Sequence, residues 1–208
     1  MLAAAKSRVR KAASARDPER TRRKLLDAGF REVYERGYQS ADLDAVLQRA
    51  GVTKGALYYH FENKEALGHA IIDEVIGEMT RQKWLIPLQQ GNPIDTLIHI
   101  VQSTGTEVAE MRGGCPFNNL AQEMSPLDEG FRKRLAKILS EWHAAMAVAF
   151  RRGQAEKMVR KDLDADDEAT FVIAMYEGYI SLAKNSQDSK LLKSGKRRMI
   201  NYLESLRA

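Results

Sequence analysis

The sequence contains few of the residues that mark a disulfide-bonded or metal-binding protein. Its single cysteine, Cys115, excludes an internal disulfide and any zinc site built from several thiolates. The four histidines, His60, His69, His99 and His143, include no i,i+4 pair that would bind a metal from one helix face. We therefore expect no metal and no cofactor.

Long apolar runs are also missing. No stretch of about 18 uninterrupted apolar residues is present, so the sequence predicts no transmembrane helix. The N-terminal segment MLAAAKSRVRKAASARD carries charges where a signal peptide needs its apolar run. These two absences predict a cytoplasmic protein with no membrane partner.

The charge is distributed unevenly along a chain of ordinary globular composition. Its 208 residues are 44% hydrophobic and 29% charged, enough to bury a core in one domain or two small ones. Residues 1–64 hold 14 Lys/Arg and 8 Asp/Glu, a net charge of +6, whereas residues 65–208 hold 19 and 20, a net charge of −1. This asymmetry favours a polyanionic partner bound at one end, although a solvated basic tail is the simpler reading.

Apolar residues recur with helical spacing and almost never alternate, which predicts an all-α fold of about nine helices. Residues 1–16 have too few apolar side chains to pack and are expected to form a mobile basic arm. The predicted helices run from Asp17-Pro18 to Gly37, from Asp42 to Gly51, over Lys54–His60, from Asn63 toward Trp84, and then over about 93–111, 117–124, 127–157, 166–185 and 189–206.

The segment SADLDAVLQRAGVTKGALYYHFENK, residues 40–64, has helix-turn-helix character. Gly51 supplies the backbone freedom for a turn between two short helices, and Thr53 can cap the second. Helical spacing directs Val52, Leu57 and Phe61 inward. The opposite face would then present Thr53, Lys54, Gly55, Ala56, Tyr58, Tyr59 and His60.

This outward face suits a helix that reads the DNA major groove. Small residues at Gly55 and Ala56 allow close approach, and the helix start offers free N–H groups that can bind phosphate. The alternative is an ordinary helical pair, since similar pairs occur in many all-α proteins and Tyr58-Tyr59 could lie partly in a core.

The segment GVTKGALYYHFENKEAL resembles the signature of the tetracycline-repressor (TetR) family of bacterial transcriptional regulators, and the preceding TRRKLLDAGFREVYERGY resembles that family's first helix. The resemblance is specific over about residues 20–70; over the remainder only the helical pattern and length fit. Gly29 departs from the usual Ala, and Asp42 from the usual Ser or Thr cap.

The resemblance implies a homodimer that places two recognition helices in successive major grooves of a pseudo-palindromic operator. Residues 17–64 would form the DNA-binding domain, and residues 65–208 the ligand-sensing and dimerisation domain. Bases would be approached by Thr53, Lys54, Gly55 and Ala56. Phosphates would be bound by Thr21, Arg22, Tyr58, Tyr59, His60 and Lys64, with the arm residues Lys6, Arg8, Arg10 and Lys11 following the groove.

In the resembled family the C-terminal bundle binds a small molecule that controls DNA binding. Aromatic and methionine residues cluster here, and most are expected to be plain core. A pocket among them would suit an apolar or aromatic effector, with Asn118, Asn119 and Gln122 as polar anchors. The candidate ligand-binding residues are Met111, Cys115, Phe117, Asn118, Trp142, Met146 and Tyr176.

Cys115 admits two readings. It precedes a predicted helix and follows Arg112, and both features can lower a thiol pKa and make the residue an electrophile or redox sensor. A GCxxxNL pattern around it resembles one branch of the family with that behaviour. The other reading is an inert buried thiol.

The apolar run FVIAMYEGYISLA, residues 171–183, favours dimerisation because it is apolar nearly all round. Together with the last helix it could form a four-helix interface, although a core helix of a monomer would show the same pattern. The candidate interface residues are Phe171, Ala174, Met175, Gly178, Leu182 and Leu203.

The sequence favours a ligand-responsive repressor over two other classes. It contains no glycine-rich phosphate loop, no paired catalytic carboxylates and no nucleophile–base set, so an enzyme is not expected. The acidic residues between Asp162 and Glu168 are read as a loop and a helix cap. A helical interaction protein that does not bind DNA remains the second alternative.

Overall fold

The computed structural model describes residues 17–105 and 112–208. The predicted arm and the candidate pocket residue Met111 lie outside these ranges. Within them the chain is helical apart from one antiparallel bridge between Val159 and Arg207, which confirms the all-α prediction. None of the helices in these ranges combines the length and apolar character needed to cross a membrane.

Nine helices follow one another in the described ranges. The fourth, α4, spans residues 64–85 and is α-helical over Lys64–Ala70 and Gly77–Thr80 but π-helical over Ile71–Ile76 and Arg81–Leu85. A single 3-10 turn, Pro87–Gln89, follows α4. The others are α1 (Pro18–Arg36), α2 (Leu43–Ala50), α3 (Lys54–His60), α5 (Pro93–Ser103), α6 (Pro116–Met124), α7 (Glu129–Ala155), α8 (Ala165–Ser186) and α9 (Ser189–Ser205).

Side-chain caps begin these helices where the sequence predicts them. Asp17, Asp42, Thr53 and Asn63 each accept a hydrogen bond from a backbone N–H of the following first turn. Asp164 accepts from the first-turn N–H groups of α8, so the acidic segment is a helix cap as predicted.

One predicted helix is wrong in length. The helix beginning at Pro93 ends at Ser103, not near Met111. Thr104 leaves the helix with an extended backbone, while its hydroxyl and that of Ser103 both donate to the Ile100 carbonyl. Hydroxyl side chains compete for the carbonyls that continue a helix, and periodicity alone does not show this competition.

A single hydrophobic core connects the two ends of the molecule. In the N-terminal part, α1 packs against α2, α3 and the beginning of α4. A Cβ atom at Gly29 would lie 3.1 Å from Cδ1 of Ile71, so the missing side chain allows α1 and α4 to approach closely. In the C-terminal part, α7 packs against α8, α4 and α6, and contributes the buried Phe131, Trp142 and Phe150.

The fourth helix links these two parts. At about 1.5 Å per residue its 22 residues extend roughly 33 Å. In its two π-helical stretches the hydrogen bonds reach back five residues, from the N–H of Gly77 to the carbonyl of Ile72 and from Ile86 to Arg81. Its last turn brings Trp84 against Trp142 of α7, so α4 runs from the helix-turn-helix to the interior of the bundle.

Candidate nucleic-acid interface and effector cavity

The turn between α2 and α3 has the predicted helix-turn-helix construction. Gly51 adopts a left-handed conformation with φ +65°, and its N–H bonds to the Leu47 carbonyl. Thr53 Oγ1 then accepts from the N–H of Ala56, 3.3 Å away, and begins α3. Leu57 and Phe61 are buried as predicted, whereas Val52 is only half-buried.

The outer face of α3 is free of the protein core. Tyr58 is 46% exposed and Tyr59 77% exposed, and Lys54 is also exposed. A Cβ atom at Gly55 would meet no atom of residues 17–105 or 112–208 within 4 Å, so no contact within these ranges requires glycine there. His60 is half-buried, with its ring 4.9 Å from that of Tyr59.

A surface cleft of about 670 Å³ lies between the start of α1 and α3. Its lining includes Thr21 and His60, both predicted to bind phosphate. It also includes the exposed Lys24, which was not predicted from the sequence. The basic run Arg22–Lys24, with Lys24 one helical turn beyond Thr21, was the signal that could have identified it. The cleft is also lined by Thr53, Gly55, Ala56 and Tyr59. Together with Thr21, Lys24 and His60, these make seven polar or small residues on one concave surface.

Three of the candidate phosphate-binding residues, Thr21, Arg22 and Lys64, have hydrogen-bond partners within the protein, and the Thr21 hydroxyl donates to the Asp17 carbonyl over 3.1 Å. The Arg22 guanidinium makes a two-point ion pair with Glu74 of α4, with Nη2 2.6 Å from Oε1. These hydrogen bonds raise the pKa of Arg22 and lower the pKa of Glu74. Lys64 donates from Nζ to the Gln39 carbonyl over 3.1 Å. A phosphate bound by Arg22 or Lys64 would have to share the side chain with its partner in the protein. Phosphate binding by these two residues stays a prediction.

A cavity of about 620 Å³ opens within the C-terminal bundle. Aromatic rings form much of its wall: Trp84 lies 4.7 Å from Trp142 and 4.8 Å from Tyr176, and Phe117 lies 6.2 Å from Trp142, measured between ring centroids. Four of the candidate pocket residues line this cavity, namely Cys115, Phe117, Trp142 and Tyr176.

The other candidates within the described ranges do not line it. Met146 is fully buried in the core outside the cavity lining. Asn118 donates from Nδ2 to Ser181 Oγ over 3.0 Å, and Gln122 makes a 3.5 Å contact with Asn118. Asn119 is held by the Gly113 carbonyl and by Lys184. Helical spacing in the sequence could not distinguish residues that line the cavity from residues that pack in the core, because both kinds are apolar and lie on the inward faces of helices.

Besides the candidates Tyr176 and Cys115, the cavity has polar groups from residues that were not predicted from the sequence. Lys83 Nζ donates to the Tyr176 hydroxyl over 2.5 Å, and Thr104 Oγ1 lies 3.3 Å from the same oxygen. Glu177 also lines the cavity, and burial raises the pKa of its carboxyl group. Its position as the single charged residue in FVIAMYEGYISLA was the signal that could have identified it.

The environment of Cys115 does not favour the reactive reading. The thiol is half-buried at the beginning of α6. Burial, followed by the negative charge of Glu177, raises its pKa to about 12, which outweighs the opposing effect of the nearby N–H groups of α6. A helix N-terminus lowers a thiol pKa only when the thiolate is not strongly desolvated. The inert reading is the one that this environment supports.

Hydrogen bonds connect the cavity wall and α6 to α1 and to the segment between α1 and α2, which precedes the helix-turn-helix. Tyr34 of α1 donates to the carbonyl of Gly114, 2.9 Å away, and Gly114 lines the cavity. At the other end of α6, the Glu123 carboxylate accepts from the backbone N–H groups of Tyr38 and Gln39, each over 2.9 Å. Thus α6 contacts both the cavity and the segment between α1 and α2.

One group of potential metal ligands occurs in the described ranges. Ligand atoms of Glu65, His69 and Asp128 lie within 4.8 Å of one another. Glu65 is exposed, and Asp128 Oδ1 already accepts from the Phe131 N–H as the cap of α7. A helix cap beside an i,i+4 pair accounts for this arrangement.

Comparison with known proteins identifies the family. Residues 25–71 match the bacterial regulatory proteins of the tetR family, and residues 94–199 match the tetracyclin repressor-like C-terminal domain. The chain belongs to the TetR family. It is 33% identical to the transcriptional regulator AcuR of Cereibacter sphaeroides over 167 residues, which cover 77% of this chain and 74% of AcuR.

Two further TetR-family relatives extend the comparison. The HTH-type transcriptional repressor DhaR of Mycobacterium sp. strain GP1 is 29% identical over 160 residues, 76% of this chain and 80% of DhaR. The crystal structure of a TetR regulatory protein from Rhodobacter sphaeroides has a TM-score of 0.76 and 29% identity, covering 87% of this chain and 97% of that one.

Membership of the TetR family makes this chain a ligand-responsive, DNA-binding transcriptional regulator. The family consists of regulatory transcription factors and not of enzymes, and its members bind operator DNA and small-molecule effectors, typically as dimers. The interpretation as a helical protein that does not bind DNA is not favoured.

The candidate dimer residues of this TetR-family chain divide into two groups. On α8, Phe171 is 50% and Leu182 55% exposed, Ala174 and Gly178 are exposed, and Met175 is half-buried. In contrast, the candidate Leu203 of α9 is fully buried within the chain. Leu203 was therefore wrongly assigned to the interface, because helical spacing did not show which apolar face of α9 packs inward.

Proposed function

We propose that α3 is the recognition helix and enters the major groove. The observation that carries this proposal is the exposed outer face of α3, where none of the described residues occupies the space beside Gly55. Thr53, Lys54, Gly55 and Ala56 would approach the base edges, with Lys54 a donor suited to guanine. Tyr58, Tyr59, His60, Thr21 and Lys24 would bind phosphates and position the helix, since contacts of this kind carry no sequence information directly.

We further propose that two copies of the chain associate through α8 and α9. The exposed apolar residues Phe171 and Leu182 support this arrangement, as does Gly178, where a Cβ atom would meet nothing within 4 Å within one chain. A two-fold pair would present two recognition helices to half-sites about 34 Å apart on a pseudo-palindromic operator. The proposed division is a DNA-binding domain at residues 17–64 and a sensing and dimerisation domain at residues 65–208.

The proposed regulation is repression that a small apolar or aromatic effector relieves. An effector in the 620 Å³ cavity would press on α4 through Trp84 and on α6 through the segment containing Cys115. Both helices contact the helix-turn-helix, so a small movement changes the spacing of the two recognition helices. A coupling free energy of about 1–3 kcal/mol changes DNA affinity by roughly 5- to 150-fold.

Operator recognition is tested by measuring which DNA fragments the protein binds from a pool prepared from the genome of its source organism. We expect selective enrichment of fragments containing an inverted repeat, with affinity for random duplex DNA falling steeply as salt rises. Lys54→Ala should relax the selection, whereas Lys137→Ala, at an exposed site on α7, should not. Equal binding of all fragments at every salt concentration would contradict the proposal.

A further inference from the structure

The Glu177 carboxylate is an unsatisfied group in the wall of the effector cavity. Both of its oxygens are shielded from solvent and have no hydrogen-bond partner of ordinary geometry among the described residues. Buried polar atoms in native proteins are nearly always hydrogen-bonded, and a buried carboxylate without a partner is costly. The cavity thus contains an acceptor that lacks a donor.

Neighbouring groups do not supply that donor. The positive charge of Lys83 lowers the pKa of Glu177, but its ammonium group donates to the Tyr176 hydroxyl and makes no hydrogen bond to the carboxylate. The Thr104 hydroxyl donates to the Ile100 carbonyl. The Cys115 thiol lies beside Glu177, but thiols are weak donors and this one only partly offsets the effect of burial on the pKa of Glu177. The described part of the chain thus supplies no strong donor to Glu177, and a bound molecule is a source that would satisfy it.

The aromatic wall favours a positively charged donor. Lys83 Nζ already lies 4.9 Å from the Tyr176 ring centroid and 5.6 Å from that of Trp84, within the range in which ring faces attract cations. Lys83 is itself exposed, and its four-carbon side chain can turn toward solvent when another cation enters. The faces of the Tyr176 and Trp84 rings and the Glu177 carboxylate would then all attract the positive group of the ligand.

We propose that the effector is an aromatic amine whose protonated nitrogen binds Glu177 and whose ring packs against Trp84, Trp142 and Phe117. This proposal rests on the proposed effector function of the cavity and names the chemical class of its ligand. The cavity volume of about 620 Å³ admits such a molecule, since ligand sites commonly measure roughly 300–1,000 Å³.

Three probes with the same aromatic ring test which ligand charge the cavity prefers. They are 2-naphthylmethylamine, which is cationic, 2-naphthylmethanol, which is neutral, and 2-naphthoic acid, which is anionic. The chain has two tryptophans and both line the cavity, so quenching of intrinsic fluorescence reports on this site. We expect the full-length protein to bind the amine at least about tenfold more tightly than the alcohol, because a hydrogen bond to a charged group contributes roughly 1.5–3 kcal/mol. The acid should bind most weakly.

Two variants test whether Glu177 and Lys83 have the proposed roles in amine binding. Glu177→Gln keeps the shape of the side chain and should abolish the preference for the amine over the alcohol, with circular dichroism confirming the helical fold. Lys83→Met removes the competing ammonium and should strengthen amine binding. The proposal is overturned if the acid binds most tightly, if the alcohol equals the amine, or if Glu177→Gln retains the preference.

DNA binding is measured separately, without any probe. A protein that selects the amine but binds no DNA would contradict the regulatory function and leave the ligand assignment standing. A protein that binds its operator but shows no amine preference would contradict only the ligand assignment. Release of operator DNA by the amine, reduced by Glu177→Gln, is the result expected when both hold.

Discussion

In the proposed docking, Gly55 is the residue at which protein stability and DNA binding make opposite demands. Glycine in a helix costs up to about 1 kcal/mol relative to alanine. A Cβ atom there would meet nothing within 4 Å, so the protein gains nothing internally from its absence. Close approach to DNA is the remaining physical reason for glycine at this position.

We predict that Gly55→Ala raises the thermal midpoint slightly and weakens operator binding about tenfold, because the methyl group holds the helix away from the base edges and loses roughly one contact of 1–3 kcal/mol. Differential scanning calorimetry and fluorescence anisotropy on the same sample measure both effects. Unchanged operator affinity would show that the DNA does not approach this part of α3.

Lys54 and Tyr58 should differ in how they affect binding. Lys54→Ala is predicted to lower operator affinity more than affinity for random DNA, since base contacts specify sequence. Tyr58→Phe should weaken both about equally, because a phosphate contact contributes to every site. A mobility-shift titration against both duplexes, with Lys137→Ala as the exposed control, distinguishes these roles. Full operator affinity in both variants would contradict the proposed docking.

Cys115 shows how burial can reverse an expectation from local sequence. With a pKa of about 12, its thiolate fraction at pH 7 is about 10⁻⁵. We predict that alkylation by iodoacetamide is slow in the folded protein and accelerates about tenfold per pH unit between pH 7 and 9, because only the thiolate reacts. Mass spectrometry follows the reaction, and unfolded protein in denaturant serves as the reactive control. Rapid, pH-independent labelling would restore the sensor reading.

At the level of elements, α6 and α4 both connect the cavity to the helix-turn-helix. The connection through α6 depends on Glu123, whose two oxygens each accept one backbone N–H of the segment between α1 and α2. The connection through α4 includes the ion pair between Arg22 and Glu74. In the proposed regulation, these two links would make the orientation of the helix-turn-helix sensitive to both walls of the cavity.

We predict that Glu123→Gln weakens the link through α6. An amide offers one acceptor in place of two and turns an NH₂ group toward a backbone N–H, which costs about 1–3 kcal/mol of folding stability. The thermal midpoint should fall, and an effector should change operator affinity less than it does in the unmodified protein. Glu141→Gln, on the exposed surface of α7, is the matched control and should show neither effect.

At the level of the whole molecule, α8 carries apolar surface that one chain does not bury. Leu182 and Phe171 are about half exposed, although five residues of the same run are buried, namely Val172, Ile173, Tyr176, Ile180 and Ala183. A second copy of the chain would remove this surface from water, and at the same time fix the distance between the two DNA-binding ends.

We predict that Leu182→Glu produces a folded monomer whose operator affinity is lower by about 10²-fold or more, since linking two half-site contacts increases affinity by roughly that factor. Analytical ultracentrifugation measures the association state. Leu127→Glu is the matched control, because Leu127 is 61% exposed and lies between α6 and α7. A dimer that persists in Leu182→Glu would place the interface elsewhere.

The sequence was sufficient for the features that depend on nearby residues. Helix starts follow from capping side chains such as Asp17 and Thr53, and the turn of the helix-turn-helix follows from the left-handed conformation that Gly51 adopts readily. The exposed face of α3 follows from helical spacing around the buried Leu57 and Phe61. These properties are local, so periodicity and turn chemistry predict them.

Only the tertiary structure decided which groups meet across long separations in the chain. Tyr176 meets Lys83, Arg22 meets Glu74, and Leu203 packs inward, although nothing near these residues in the sequence indicates it. The properties of Cys115 and Glu177 were also decided there, because a pKa depends on the burial and charge that distant helices impose. Local spacing determines which face of a helix is apolar, whereas packing determines what that face contacts.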